Sequence, residues 1–169
     1  MSEEPLHWYV LRMTHGRELQ VRNRLQALGV EHFIPTQKTR GYRGRVVEKP
    51  LVNCLGFVRT SKKEALDLIH LNGVQADYLL DRATRRLMVV PDREMDDFRR
   101  VFDLSVEEGD IERPLAPGAR VRVMKGPLAG VEGQVLGIDG KWYVAVSLLG
   151  MLYARARVPQ AWLELVENK

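Results

Sequence analysis

The stretch "VRVMKGPLAGVEG", residues 121 to 133, decides how the chain is read. Val121 and Val123 alternate like a strand, then three glycines and a proline crowd together before a further apolar run. Such spacing serves a phosphate-cradling loop, a set of tight β-turns, or a docking loop for another macromolecule. A phosphate loop needs Lys and Ser/Thr directly after its second glycine, opening a helix onto the phosphates. Here "VEGQVLGI" follows, a strand pattern, so the glycines are read as turn formers, with Pro127, Leu128 and Ala129 exposed between them.

Working outward, "ARVRVMKG", "VEGQVLGI", "KWYVAVSLLG", "MLYARARV" and "AWLELV" read as five short strands separated by Gly, Pro and "IDGK" turn signals. That spacing predicts a β-barrel of about fifty residues, near the lower limit for unaided folding. Upstream, the charge changes sign. From Asp92 to Glu112 there are nine acids against three arginines, ending in "SVEEGDIERPLAPG", which has no apolar period and reads as a flexible acidic linker over residues 104–116. The domains are therefore expected at 1–103 and 117–169.

The first part reads as alternating strands and helices. "HWYVLRM" is a strand; "GRELQVRNRLQALG" places Val21, Leu25 and Leu28 on one helical stripe and stops at Gly29. "VEHFIPTQK" is a strand ending near Pro35, "TRGYRGRVVEKP" a basic hairpin tip, and "LVNCLGFVRT" an apolar strand. Ser61 with Glu64 makes a capping box for the next helix, which Asn72-Gly73 ends. Short strands at "DYLLD" and "RLMVV" precede a helix capped by Asp92, with Met95, Phe98 and Phe102 on one side. The order β-α-β-β-α-β-β-α predicts an α+β sandwich, and the whole chain an α+β fold with a terminal barrel.

Composition narrows the function. The 169 residues are 45% hydrophobic and 28% charged, with a net charge of +4. The longest apolar runs fall far short of the roughly 20 residues that cross a bilayer. "MSEEPLHW" is not a secretory signal, and a single cysteine, Cys54, makes no internal disulfide, so a cytoplasmic protein is expected. His7, His15, His32 and His70 are scattered without metal-ligand spacing. The acids at Asp92, Glu94, Asp96 and Asp97 suit a helix start. No catalytic triad is visible, so neither an enzyme, a metal nor a cofactor is expected.

Between His7 and Thr60, ten basic residues stand against three acids. Arg12, His15, Arg17, Arg22 and Arg24 lie near the first helix, and Lys38, Arg40, Arg43 and Arg45 in the hairpin, with Tyr42 available to stack on a base. Such a set suits single-stranded nucleic acid. A solvated helix face explains the same charges equally well.

"HWYVLRMTHGRELQVRNRLQALGVEHFIPTQKTR" (7–40), "KPLVNCLGFVRT" (49–60), "VVPDREMDDF" (89–98) and the segment from Pro117 to Glu167 resemble the NusG family of transcription factors. The glycine stretch matches the V-x-V-x-x-G-P-x-x-G-x-x-G signature of its KOW barrel. Within the family, "HWYVLRMTHGRE" (7–18), "HFIPTQKT" (32–39) and "VVPDREMDDF" (89–98) look most like the UpxY-type antiterminators of long surface-polysaccharide operons in Bacteroidetes.

The resemblance implies an antiterminator that sits on the clamp coiled coil of RNA polymerase and suppresses pausing and termination. The polymerase depression would be built from Val52, Leu55 and Phe57, with Tyr9 beside them. Phe57 is equally a residue that a sandwich buries. Non-template DNA or leader RNA would meet Thr14, His15, Arg17, Gln20 and Arg24, with Arg40, Arg43 and Arg45 in the hairpin. The element reaching the opposite pincer would fall at residues 62 to 66, where the chain reads "KKEAL". The barrel turn, Lys125, Gly126, Pro127, Gly130 and Gly133, belongs to the module that recruits a small-subunit ribosomal protein or Rho, and Arg120, Arg122 and Lys125 are candidates for nucleic acid. Leu149 and Met151 replace the usual aromatic and charge there, which weakens Rho recruitment. A monomer is expected. A general elongation factor and a KOW-type RNA- or ribosome-binding protein are the alternatives.

Overall fold

The first strand, β1 (His7–Arg12), is buried at each of its four inner positions, so both faces of the sheet that it centres are covered. The structure is a computed structural model that describes residues 4–104, 111–112, 118–138 and 141–166. It divides into two units, Met1–Pro91 and Asp92–Lys169. The mixed α/β architecture matches the expected α+β class.

In the first unit, β1 pairs with β5 (Leu55–Thr60), which in turn pairs with β2 (Glu31–Phe33). Two-residue strands β6 (Asp77–Tyr78) and β7 (Val89–Val90) add to β1. On one face Tyr9, Leu11 and Val58 form a core with Val21 and Leu25 of α1 (Glu18–Ala27) and Ala65 and Leu68 of α2 (Lys62–His70). Trp8, Val10 and Phe57 have the opposite parity and are buried too.

The helix ends follow local chemistry. Gly29, at φ 70°, ends α1 in a Schellman turn: Val30 N–H donates to Leu25 O and Gly29 N–H to Gln26 O, both at 3.1 Å. Ser61 Oγ accepts from Glu64 N–H at 3.2 Å. The reciprocal half of the expected capping box is replaced, because the Glu64 carboxylate accepts from Thr60 Oγ1 at 2.6 Å.

Two strands differ from expectation. The segment 30–38 breaks at Ile34 and Pro35, and its second part becomes β3 (Thr36–Arg40), which pairs only with β4 (Val46–Pro50) as a separate hairpin. The strand expected from residue 51 begins instead at Leu55, since Cys54 at φ 69° interrupts the extended backbone.

The second unit holds α3 (Asp92–Leu104) and six strands: β8 (Ile111–Glu112), β9 (Arg120–Val123), β10 (Glu132–Ile138), β11 (Lys141–Leu148), β12 (Leu152–Arg157) and β13 (Leu163–Leu165). Their order is β13-β9-β10-β11-β12-β8. Val121, Val123, Val131, Val144, Leu148, Leu152 and Ala154 fill the interior. β8 falls within the stretch read as a linker, where its backbone pairs with Tyr153 and Ala154 of β12. The rest of that stretch past Leu104, and Asp139-Gly140 of the "IDGK" turn, lie outside the described residues.

Helix α3, expected to close the first domain, is grouped with the strands of the second unit and packs on β11 and β12. Its buried stripe is Met95, Phe98 and Val101; Phe102 is half-buried and stacks on Phe98 at 6.4 Å. Arg100 Nη2 donates to the carbonyls of Pro127 (2.9 Å) and Ala129 (2.8 Å), and Glu94 Oε1 accepts from Leu149 N–H. Desolvation raises the pKa of Asp97, opposed by the cations of Arg93 and Arg100. No helix among the described residues is long and apolar enough to cross a membrane.

Candidate nucleic-acid interface

The basic residues of the first unit are positioned by α1 and by the β3–β4 hairpin. Thr14, His15 and Arg17 lead into α1, and all three are exposed. Arg17 Nη1 donates to Gln20 Oε1 at 3.0 Å and to Gln75 Oε1 at 3.4 Å, so the structure brings Arg17 and Gln20 together and adds Gln75. One turn beyond Gln20, Arg24 has a second duty. Its Nε donates to Asn72 O at 2.8 Å, holding the loop after α2.

The hairpin supplies the other cations. Its tip, Gly41 to Arg45, is closed by Gly41 N–H donating to Arg45 O at 2.6 Å. Tyr42 is 83% exposed, and the Arg43 guanidinium lies 5.3 Å from its ring centroid. An exposed aromatic with a cation on one face offers stacking and phosphate attraction together. Arg40 and Arg45 are exposed on either side.

The base of the hairpin is tied to α1. Arg22 is ion-paired with Glu48, whose carboxylate also accepts from Thr36 Oγ1 at 2.7 Å. The hydrogen bond from Arg22, and then that from Thr36, lowers the Glu48 pKa. Arg22 is thus consumed by structure, while His15 and Lys49 meet around a cavity with Pro50 and Asn53. Lys49 and Asn53 lie in the segment 49–60 quoted above, but the sequence reading gives neither a contact role, because only folding brings them to His15. Their signal is spatial.

The residues carried over for a polymerase depression do not share one open surface. Tyr9 and Phe57 are buried, and they face opposite sides of the sheet: Tyr9 is paired with Val58, and Phe57 with Val10. Tyr9 packs edge-on against Tyr78 at 6.0 Å, and burial raises the pKa of both phenols; Tyr78 donates to Ala65 O at 2.7 Å. Phe57 lies 6.2 Å from Phe33, as the core reading required. Val52 is buried and precedes the strand. Leu55 is partly exposed.

In the barrel turn, Lys125, Gly126, Pro127 and Gly130 are exposed, whereas Gly133 is buried. Leu128, expected to be exposed, is buried at 2%, because the turn folds back with Gly130 N–H donating to Val123 O at 2.8 Å. Gly126 is at φ 83°, and a Cβ there would lie 2.5 Å from the Trp162 ring. At Gly133 a Cβ would lie 2.2 Å from Ala145 O of the paired strand. Arg120 and Arg122 are engaged by Glu132 at 3.4 and 2.6 Å, which lowers the Glu132 pKa and raises that of Arg122. No cluster of metal-ligating side chains occurs among the described residues.

Comparison with known proteins accounts for both units. A family model described as "Transcription termination factor nusG" matches residues 6–99, and one described as "KOW motif" matches residues 117–148. The solved structure "Domain interaction in Thermotoga maritima NusG" is similar at a TM-score of 0.53 and 22% identity, over 96% of this chain and 98% of that one. The MjSpt4:Spt5 complex in conformation A aligns at a TM-score of 0.28 and 12% identity, over 96% of this chain and 99% of that one. No curated protein matches. With its strand-helix first unit and the glycine turn of its second both accounted for, and with more than half of its length matched by the first family model, this chain belongs to the NusG family of transcription factors.

Proposed function

We propose that the chain is an operon-specific antiterminator that binds RNA polymerase, contacts single-stranded nucleic acid and suppresses pausing and termination, in the manner of the UpxY-type factors of polysaccharide operons. The observation that carries this reading is the tie between Arg22 and Glu48, which anchors a hairpin tipped by Tyr42 and Arg43 to the helix bearing Arg17 and Gln20. Phosphates are met by dispersed cations and bases by an exposed ring. The acceptor is non-template DNA or leader RNA. The polymerase contact is the clamp coiled coil, with Leu55 as the partly exposed member of the expected set. The KOW barrel recruits a small-subunit ribosomal protein. Catalysis has no part in this function.

Adding the purified protein to polymerase halted on a leader template tests the reading. A supershifted complex and shortened pauses are expected. Unchanged pausing with no complex on a gel overturns it. A general elongation factor of the same family is the second reading. It would shorten pauses equally on templates with and without the leader.

A further inference from the structure

Glu18 is buried to 1% exposure at the start of α1, and its Oε1 has no hydrogen-bond partner among the described residues. Its Oε2 accepts from Cys54 N–H at 3.4 Å, a long bond. Buried carboxylates are almost always paired, because a desolvated acceptor without a donor is costly. Glu18 also lines a cavity of about 270 Å³, together with His15, Gly16, Lys49, Pro50 and Asn53. Glu18, the cavity and the candidate interface therefore share one place.

We propose that this cavity takes a single guanine of a single-stranded nucleic acid, with Glu18 reading its Watson–Crick edge. The proposal rests on the nucleic-acid reading above and adds a base preference to it. An ionised carboxylate only accepts hydrogen bonds. Guanine is the base that presents two adjacent donors, N1–H and N2–H, on that edge. Adenine and cytosine offer an amino group beside a ring acceptor, and thymine or uracil one N–H between two carbonyls, so each sets an acceptor against the carboxylate. Unstacked bases of single strands are read on this edge.

Charge and size select the ligand class further. A lysine or arginine of a protein partner would also satisfy Glu18, but Lys49 lines the same cavity. A cation so placed repels a cationic side chain and attracts the phosphates that flank a base. The volume falls just below the roughly 300–1,000 Å³ of ordinary ligand sites, which suits one ring system. Glu18 is the one buried residue among those lining the cavity, so a base reaches it by displacing exposed lining residues, of which Gly16, at φ 89°, is one.

Fluorescence anisotropy of the full chain tests this, with thymine oligonucleotides of about twelve bases carrying one central guanine, inosine, adenine or thymine, made as DNA and as RNA. The guanine strand is expected to bind about tenfold tighter than the all-thymine (or all-uracil) strand, and inosine, which lacks the N2 amine, to lose much of that gain. E18Q is expected to bind the guanine and thymine strands alike while keeping its affinity for thymine. Equal, salt-dependent binding of all four strands by the unaltered protein overturns the guanine site and leaves the nucleic-acid reading standing. Absence of binding to every strand overturns both. Saturable binding of an arginine-rich peptide, lost in E18Q and accompanied by no base preference, also overturns it, in favour of a protein ligand. Should E18Q not fold, the guanine-to-inosine contrast on the unaltered protein decides.

Discussion

Arg22 of α1 and Glu48 of β4 are ion-paired across 26 positions of sequence, with Thr36 donating to the same carboxylate oxygen. The pair joins the hairpin, which forms its own two-stranded sheet, to the helix. Because the folded pKa of Glu48 lies below its ordinary value of 4.5, its contribution to stability is complete above that value and is lost as pH falls through the folded pKa. Denaturant unfolding from neutral pH down through the carboxylate range should therefore show a steeper loss for the unaltered chain than for E48Q. The two should converge at the acid end. Amide exchange in Val46 to Lys49 should be faster in E48Q at neutral pH.

Arg17 and Arg24 separate function from structure. R17A should reduce the salt slope of nucleic-acid binding by about one and shift stability by under about 0.5 kcal/mol, since Arg17 is exposed and its partners are exposed glutamines. R24A should cost roughly 1 kcal/mol, because the bond to Asn72 O goes with it. Titrations at several salt concentrations, beside thermal melts, check both.

Tyr42 should matter only when nucleic acid is bound. At 83% exposure its removal leaves the fold unchanged. If a base stacks on its free face, Y42A should weaken single-strand affinity by the roughly 1–3 kcal/mol that such stacking contributes, or about 5-fold to 150-fold. Equal affinities in Y42A and the unaltered chain would rule out stacking at the tip.

Two glycines of the barrel turn should respond differently to alanine. At Gly133 the new Cβ meets the backbone oxygen of Ala145 at 2.2 Å, and the paired strands must separate. The loss should reach about 3 kcal/mol or more. At Gly130 the space is open and only the φ of 90° is unfavourable, so the cost should stay near 1–2 kcal/mol. Unfolding curves of the two variants give the ranking.

Much of the fold was legible because it is written in neighbours. Gly29 stops α1 through bonds that span five residues at most, and Ser61 caps α2 across three. Val21 and Leu25, and Met95 and Phe98, were found by helical period, and five strands of the second unit by alternation and turn residues. The candidate interface was legible to the same depth. Charge density singles out Arg17 and the hairpin cations, and the family resemblance adds Gln20; all of them are exposed.

The misreadings share a cause. Val52 was assigned to a strand that Cys54 interrupts with a left-handed residue, which nothing in the local pattern announces. Leu128 was read as exposed because it sits among turn formers, yet the turn folds it into the interior. The resemblance sets Tyr9 beside Phe57, and strand register, which no local pattern gives, places them on opposite faces of the sheet.

By itself the sequence determined the periods, the breaks and the surplus of cations, because these depend on each residue's own backbone preferences and on neighbours within a turn or two. Only the tertiary structure decided where each polar group finds its partner. It gave Arg24 to Asn72, Arg22 to Glu48, and Arg100 to the carbonyls of Pro127 and Ala129, and it left Glu18 with an unmatched oxygen. Those pairings link positions 26 to 48 residues apart, and Cys54, which donates to the other oxygen of Glu18, is 36 positions away, so they follow from chain folding and burial, which no local pattern encodes.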